Sequence, residues 1–375
     1  TTGSGTTVSN LKNPNSPFRN LIINGDMQIA QRGTSQTGVA NNANEGYNTL
    51  DRFALNFYGN EGGVATVSQD TTVPSDTTYG KFSKSIKIDV TTADTSIGTT
   101  GSHALQQNIE ASIIHHSGWD YTNSSSKIIL SFWARSVKAG DYCVNLQATD
   151  ATRYFVAQYT LVANTWKHVE VVVPGNSDLV FNDDNGEGLQ VRWMLSAGDD
   201  RNDATADTWY NPGSDFDQTT NTQVNFFDST DNNFFLTGVQ LEVGETATDF
   251  EHLPFDVQLQ RCLRYYESSN PNISGNAAVN DRIAYMTFVP YNTSVAYGTW
   301  IYKVQKRAAP TVTHGSASWN AYQDGSVASN SGQGNTDGIG FNNMAVYLNG
   351  FSMNADHGLF ADYRVHDGIT FDSEL

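Results

Sequence analysis

The sequence has few charged residues, and basic residues are the rarer kind. Charged residues make up 16% of the 375 residues, and 39 acidic against 21 basic side chains give a formal net charge of −18. This balance repels the phosphates of nucleic acids and of anionic membranes. We therefore expect neither nucleic-acid binding nor membrane insertion, and a surface built largely from Asn, Thr, Ser, Gln and Gly.

Cysteine and long apolar runs are also scarce. The two cysteines, Cys143 and Cys262, lie in segments with the patterns of a strand and a helix. They have neither a CxxC spacing nor a matched disulfide framework, which predicts free thiols. No window approaches the ~18 consecutive apolar residues of a membrane span, and the start shows no basic and apolar export signal. We expect a soluble protein.

Alternating β-branched and aromatic segments, separated by Gly, Asn and Asp clusters, dominate from residue 50 to residue 250. This pattern predicts an all-β domain. In the segment 189–195 the apolar residues alternate from Leu189 to Leu195. Trp193 is therefore predicted to lie in the core, whereas Gln190 and Arg192 share the opposite face. The other clear strand segments are residues 85–90, 127–135, 154–161 and 166–173.

The periodicity changes once, in residues 254–266. Apolar side chains recur there at helical spacing, Pro254 suits a first turn, and Arg261 and Arg264 lie late, where the helix dipole favours cations. The pattern predicts one short helix. Strand-like alternation then resumes in residues 284–289, 299–304 and 344–348.

Three blocks of sequence stand out, and the third is the most specific. They are residues 20–35 with 51–53, residues 130–136 with 139–140 and 164–169, and residues 235–244 with 247–251 and 261–266. These blocks are similar to bacteriophage tail-fibre and related prophage proteins that carry a carbohydrate-binding-like jelly roll. The resemblance implies a jelly-roll β-sandwich in a multimeric, usually trimeric, fibre of the virion, with other virion tail proteins and host polysaccharide or lipopolysaccharide as partners.

The chain is long enough for two domains, each with its own core. We expect an all-β fold, namely a jelly-roll β-sandwich followed by a short helix and a second, smaller β-sandwich-like domain. The expected protein is a homotrimer made in the host cytoplasm. The predicted parts are an N-terminal arm (1–19), the jelly roll (20–252), a connecting helix (253–270) and a C-terminal β-domain that forms the distal tip (271–375).

Sugar binding needs an exposed aromatic ring flanked by groups that hydrogen-bond to hydroxyls. Three predicted loops meet this description, although a loop aromatic can equally cap a core or fill a trimer interface. The candidate ligand-binding residues are Trp209, Tyr210 and Asn211 in the first loop, Trp119 and Tyr121 in the second, and Trp319 and Tyr322 in the third.

An acidic loop is the candidate metal site, with Asp183, Asp184, Asn185 and Glu187 as its ligands. It begins like an EF-hand, but its twelfth position is Met194 rather than a bidentate Glu. A structural calcium ion and a solvated loop are the two interpretations. No other cofactor is predicted.

Catalytic motifs are absent from the sequence. It has no HExxH zinc motif, no GxSxG nucleophile elbow and no GxxxxGK[ST] phosphate loop. We therefore predict a non-catalytic protein, and the resemblance to phage tail fibres implies that it binds host-surface glycans for adsorption. Two alternatives stay open: a structural virion fibre or decoration protein without receptor contact, and a polysaccharide depolymerase with carboxylates at subunit interfaces.

Overall fold

The computed structural model describes residues 18–59, 61–212, 216–268, 285–286, 288–292, 295–298, 302–314, 320–323, 326–328, 340–342, 345–347, 362–364 and 369–375. Beyond residue 268 it describes side chains only at 302–311 and 370–375. The chain forms two compact units. The first unit comprises the segment up to Ala30, the range Thr34–Gln258 and the single residue Leu375. The second unit comprises Gln31–Gly33 and Leu259–Glu374. The predicted domain limits stay a prediction.

The first unit is built from two six-stranded sheets in which every pair of neighbouring strands is antiparallel. Its strands are β1 (Ser35–Ala40), β2 (Ala54–Tyr58), β3 (Val64–Asp70), β4 (Ser85–Thr92), β5 (Ser102–Glu110), β6 (Lys127–Ser136), β7 (Gly140–Ala148), β8 (Arg153–Leu161), β9 (Lys167–Pro174), β10 (Glu187–Ala197), β11 (Trp209–Tyr210) and β12 (Asn233–Val243). The strand order is β1-β3-β4-β12-β6-β9 in the first sheet and β11-β8-β7-β10-β5-β2 in the second. The predicted all-β sandwich is confirmed.

One hydrophobic core lies between the two sheets, and each sheet contributes alternate side chains to it. Trp193 of β10 is fully buried, as predicted. Its ring packs edge-on against Phe132 of β6, with the centroids 5.9 Å apart, and lies 6.0 Å from the ring of Phe53. Contacts of this kind join the second sheet to the first.

Buried amides, rather than strand pairing alone, hold the segment that precedes β1. The Asn20 Nδ2 donates to the Val239 carbonyl at 3.0 Å, and its Oδ1 accepts from the Leu241 amide at 3.0 Å. Gln107 of β5 accepts from the Ile23 amide and donates back to its carbonyl, at 2.8 and 3.0 Å. The segment is thereby bonded to β12 of the first sheet and to β5 of the second.

Helices are few and short. They are α1 (Ala111–His115), α2 (Phe255–Leu263) and the 3-10 helices Asp199–Arg201 and Phe226–Asp228. The helix predicted in residues 254–266 is confirmed by α2. Among the described residues, none of the helices combines the length and the apolar character needed to cross a membrane.

The second unit is also built from strands. They are β13 (Tyr266–Ser268), β14 (Tyr285–Met286), β15 (Phe288–Asn292), β16 (Val295–Gly298), β17 (Thr311–His314), β18 (Asn320–Gln323), β19 (Ser326–Ala328), β20 (Gly340–Asn342), β21 (Ala345–Tyr347), β22 (Asp362–Arg364) and β23 (Ile369–Asp372). They pair in the orders β13-β23-β17, β14-β22-β18-β19, β15-β16 and β20-β21.

The strand predicted at 299–304 is wrong over residues 302–304, where the chain bends. The backbone amide of Lys303 donates to a carboxylate oxygen of Glu267 at 3.4 Å. This amide is therefore not hydrogen-bonded to a neighbouring strand. Glu267 is fully buried and forms an ion pair with Lys306 at 2.6 Å.

A buried histidine makes the stability of the first unit depend on pH. His103 of β5 is inaccessible to solvent, contacts Ser196 through Nδ1, and lies between the rings of Phe57 and Phe227 at 4.7 and 4.2 Å. Burial lowers the pKa of His103 from 6.5 to about 4. The folded state therefore holds this side chain neutral where the unfolded chain already binds a proton.

We predict that His103→Gln reduces the pH dependence of unfolding. Because the folded pKa lies below the unfolded one, the contribution of His103 is complete above pH 6.5 and is lost as the pH falls through the folded pKa. Between pH 7 and pH 4 the free energy of unfolding should fall by about 3 kcal/mol through this side chain. Urea unfolding between pH 7 and pH 4 measures it. His116→Gln is the matched control, because His116 is exposed. If the free energy of unfolding of His103→Gln depended on pH as strongly as that of the wild-type protein, the prediction would be contradicted.

Candidate functional site

The outer surface of the second sheet carries a group of polar and aromatic side chains, which we call the polar face. Its members point away from the shared core because side chains alternate along each strand. The polar face consists of Tyr58 (β2), Gln106 and Asn108 (β5), Asn145 and Gln147 (β7), Tyr154 (β8), Gln190 and Arg192 (β10) and Tyr210 (β11).

Strand register arranges these residues in two rows across the sheet. In the first row, Arg192 is directly opposite Asn145 on β7 and Gln106 on β5. In the second row, Gln190 is opposite Gln147 and Asn108. That row continues from Gln147 through Tyr154 to Tyr210. Residues that lie far apart in sequence thus become neighbours on one surface.

Arg192 is the cation of the polar face. Its Nη2 donates to the Oε1 of Gln147 at 2.6 Å and also to the Oε1 of Gln190. The guanidinium carbon lies 5.4 Å from the centroid of the Tyr58 ring. Arg192 is only 6% exposed, and its Nε and Nη1 have no hydrogen-bond partner among the residues that the structure describes. Within the described part of the chain, no carboxylate lies at ion-pair distance from Arg192.

Asn145 lies beside Arg192 and is fully buried. Neither its Nδ2 nor its Oδ1 has a hydrogen-bond partner among the described residues. Buried polar atoms are nearly always paired, because leaving one unpaired costs about 1–3 kcal/mol. An unpaired amide next to a guanidinium with two unpaired nitrogens therefore marks the centre of the polar face as a position suited to a ligand.

Tyrosines stand at both ends of the polar face. At the β2 edge, the Tyr58 hydroxyl donates to the Oε1 of Gln106 at 2.6 Å. At the opposite edge the rings of Tyr154 and Tyr210 are 6.0 Å apart, and the Tyr210 hydroxyl donates to the main-chain oxygen of Asp217. Burial raises the pKa of Tyr210 far above its ordinary value, so this hydroxyl stays protonated. Tyr58 and Tyr210 are partly exposed.

The structure places two of the three predicted tryptophans, Trp209 and Trp119, in the core instead of on an open surface. Trp209 is 8% exposed, packs on Phe155 with the ring centroids 5.4 Å apart, and donates from Nε1 to the Pro174 carbonyl at 2.7 Å. Trp119 is 3% exposed and donates to the Ser126 carbonyl at 3.3 Å. The expectation that these rings are exposed is wrong, because both cap the core.

The other predicted ligand residues fall into three groups. Tyr210 belongs to the polar face, and Asn211 is exposed immediately after it. Tyr121 is partly exposed and packs against Phe181, 5.0 Å between ring centroids. Outside the described residues lie Trp319 and the side chain of Tyr322, whose backbone belongs to β18.

The predicted calcium ligands form a hydrogen-bonded turn before β10. The Asp183 Oδ1 contacts the Nε2 of His116 at 2.8 Å, and the Asp184 Oδ1 accepts from the Gly186 amide at 2.8 Å. Glu187 is already the first residue of β10, and its carbonyl accepts from Thr149. Of the residues the structure describes, no three His, Cys, Asp or Glu side chains are grouped to hold a metal ion. The calcium ion stays a prediction.

Both cysteines are free, as predicted, and both are buried. Cys143 lies on the outer side of the second sheet, with the Oγ1 of Thr220 3.5 Å from its sulfur. Burial raises the pKa of the Cys143 thiol. A buried, protonated thiol is a poor nucleophile, so Cys143 is not a catalytic candidate.

Most of the polar face was missed from sequence, although a signal for it was present. Polar residues alternate with core residues at Asn145 and Gln147 in β7 and at Gln190 and Arg192 in β10. Such alternation on two strands predicts an amide-rich outer surface. It does not say which strands are neighbours, and only the order β7-β10-β5 brings these amides to Arg192.

No protein-family model and no curated protein matches the chain. Several solved structures match it in part. A carbohydrate-binding module of family 4 is 15% identical, covering 59% of this chain and 98% of its own, with a TM-score of 0.30. A proposed sugar-binding protein of Bacteroides thetaiotaomicron is 15% identical over 60% of this chain and all of its own, with a TM-score of 0.31. A cyclase from Fischerella sp. is 12% identical over 49% of this chain and 78% of its own, with a TM-score of 0.28.

Sugar-binding proteins and an enzyme are thus similar to the chain at nearly the same level. A shared fold does not imply a shared function, and likeness this low supports no functional argument. The function has to be argued from the polar face itself.

We predict that Asn145→Val stabilises the first unit. The substitution removes two buried polar atoms that have no partner and places a β-branched residue in a strand, so the free energy of unfolding should rise by about 1–2 kcal/mol. Urea unfolding measures the change.

Gln107→Leu is the matched control on β5, because this buried amide is hydrogen-bonded to both main-chain groups of Ile23. Its loss should lower the free energy of unfolding by about 1–3 kcal/mol. If Asn145→Val destabilised the protein as much as Gln107→Leu, the Asn145 amide would have a structural partner. The centre of the polar face would then not be a position suited to a ligand.

Proposed function

We propose that this chain is a component of a bacteriophage tail fibre or spike that binds glycans on the host surface without cleaving them. The observation that carries the glycan part is the polar face, where the buried Asn145 and Arg192 keep side-chain polar atoms without partners among the described residues and lie between tyrosines. The assignment to a phage fibre rests on the resemblance of the three sequence blocks between residues 20 and 266.

The chemistry of the polar face suits a sugar. Sugar rings offer hydroxyls that donate and accept hydrogen bonds, and C–H surfaces that pack on aromatic rings. Amide side chains supply both donors and acceptors, and Arg192 supplies donors alone. Tyr58 and Tyr210, partly exposed at opposite edges of the sheet, provide ring surfaces at either end of such a ligand.

The composition of the polar face also supports binding without hydrolysis. Glycoside hydrolysis ordinarily uses a pair of Asp or Glu side chains on either side of the scissile bond. None of the nine residues of the polar face carries a carboxylate. A sugar held there would meet hydrogen-bonding groups but no acid and base pair.

We further propose that the chain assembles as a homotrimer. A single glycan site of about millimolar affinity becomes useful for attachment when several linked copies bind together, because linkage can raise apparent affinity ~100-fold. Light scattering of the full chain at micromolar concentration should give three chain masses. A single chain mass would overturn the trimer without affecting the polar face.

We predict that Tyr58→Ala and Tyr210→Ala each weaken glycan binding at least ~10-fold, because a lost ring contact of about 1.4 kcal/mol corresponds to that factor. Binding is measured on an array of bacterial surface polysaccharides and then by calorimetry with the polysaccharide that binds best. Tyr79→Ala is the control, since Tyr79 is also partly exposed but stacks on His168 of the first sheet.

Three other outcomes would each revise the proposal. Wild-type protein that binds no polysaccharide and adsorbs to no bacterial cells would favour the structural virion protein. Release of reducing ends from a bound polysaccharide would favour the depolymerase. If Tyr79→Ala lowered the affinity for the polysaccharide as much as Tyr58→Ala, the polar face would not be the binding site.

A further inference from the structure

Arg192 is a buried cation for which the described residues provide no counter-ion. Arginines are almost never this well buried without a paired charge, because removing a charge from water is costly. Its protein acceptors are the neutral amide oxygens of Gln147 and Gln190. Its positive charge is therefore left for something other than the described residues to balance.

The unpartnered atoms around this charge are mostly donors. In the described part of the chain these donors are the Nε and Nη1 of Arg192 and the Nδ2 of Asn145, and the one unpartnered acceptor beside them is the Oδ1 of Asn145. Several N–H groups around a guanidinium favour an anionic oxygen group, since charge-assisted hydrogen bonds are about twice as strong as neutral ones. The single acceptor suits a hydroxyl on the same ligand.

The anion can reach this position through the two glutamines. Both Gln147 and Gln190 are partly exposed, and their side chains hold only the Nη2 of Arg192. Rotation of the two amides frees this nitrogen, and their NH2 groups can then donate to the ligand. The ring of Tyr58, 5.4 Å from the guanidinium, borders the position on the β2 side.

We infer that the polar face selects an acidic glycan, whose carboxylate or phosphate group pairs with Arg192 and Asn145. This inference rests on the proposed glycan binding and narrows its ligand class. The net charge of −18 does not prevent such contact, because repulsion between exposed charges is screened beyond about 8 Å at physiological ionic strength. Repulsion between the negatively charged protein and an acidic glycan should make association slower at low salt than at moderate salt.

The test compares acidic polysaccharides with neutralised counterparts on one array. Carboxyl groups are reduced to alcohols in one set, phosphates are removed enzymatically in a second, and natural neutral polysaccharides form a third. Wild-type protein should bind acidic members at least ~10-fold more tightly than their neutralised counterparts. The treatment that abolishes binding tells a carboxylate from a phosphate. This comparison needs no variant and so does not depend on how any substitution folds.

Arg192→Gln should remove that preference, lowering affinity for acidic glycans at least ~10-fold and for neutral glycans much less. Arg135→Gln is the matched control, because Arg135 lies on the first sheet, over the ring of Phe235 at 5.0 Å. Arg192→Lys keeps the charge without the planar fork and should retain part of the affinity. Thermal unfolding confirms that each variant folds.

The inference fails if wild-type protein binds acidic and neutralised polysaccharides equally, or if Arg135→Gln lowers the acidic preference as much as Arg192→Gln. In both cases binding is still observed, and the proposed glycan function stands. If no polysaccharide binds, the proposed function fails and the acidic preference fails with it.

Discussion

The register of β10 is the constraint on which the rest of the structure depends. Side chains alternate along a strand, so the register that places Trp193 in the core must also place Gln190 and Arg192 on the outside. A shift by one residue would bury the guanidinium between the sheets and expose the indole. The core and the candidate site are therefore two sides of one strand, and the packing of the first fixes the position of the second.

Stability and function make opposite demands on the polar face. Hydrogen bonds within the fold engage both the nitrogen and the oxygen of the Asn20 and Gln107 amides, which hold the N-terminal segment. Asn145 and Arg192, by contrast, keep buried polar atoms without partners. A fold selected for stability alone would have apolar side chains there, since these contribute burial without a desolvation cost. Such local conflict is expected where a surface has a task beyond folding.

Local pattern predicted much of the fold but little of the site. Alternation along residues 85–90 or 189–195 is a property of single strands, and those strands formed as expected. Arg192 was correctly placed on the outer face, but its neighbour Asn145 lies 47 residues earlier in the chain, and no local pattern encodes that pairing. Trp209 and Trp119 were misplaced for a related reason. Whether a loop aromatic is exposed depends on tertiary partners such as Phe155, which its own segment does not specify.

The anchoring of the N-terminal segment has a mechanical consequence. Asn20 and Leu21 are bonded to Val239 and Leu241 in β12, which lies between β4 and β6 in the middle of the first sheet. Tension applied to the chain ahead of residue 20 therefore enters the fold at a central strand with partners on both sides. The next strand along the chain, β1, is an edge strand and could be peeled away one hydrogen bond at a time. The hydrogen bonds of the segment around residue 20 must break before tension reaches β1, so this segment shields the edge of the sheet from load on that side of the chain.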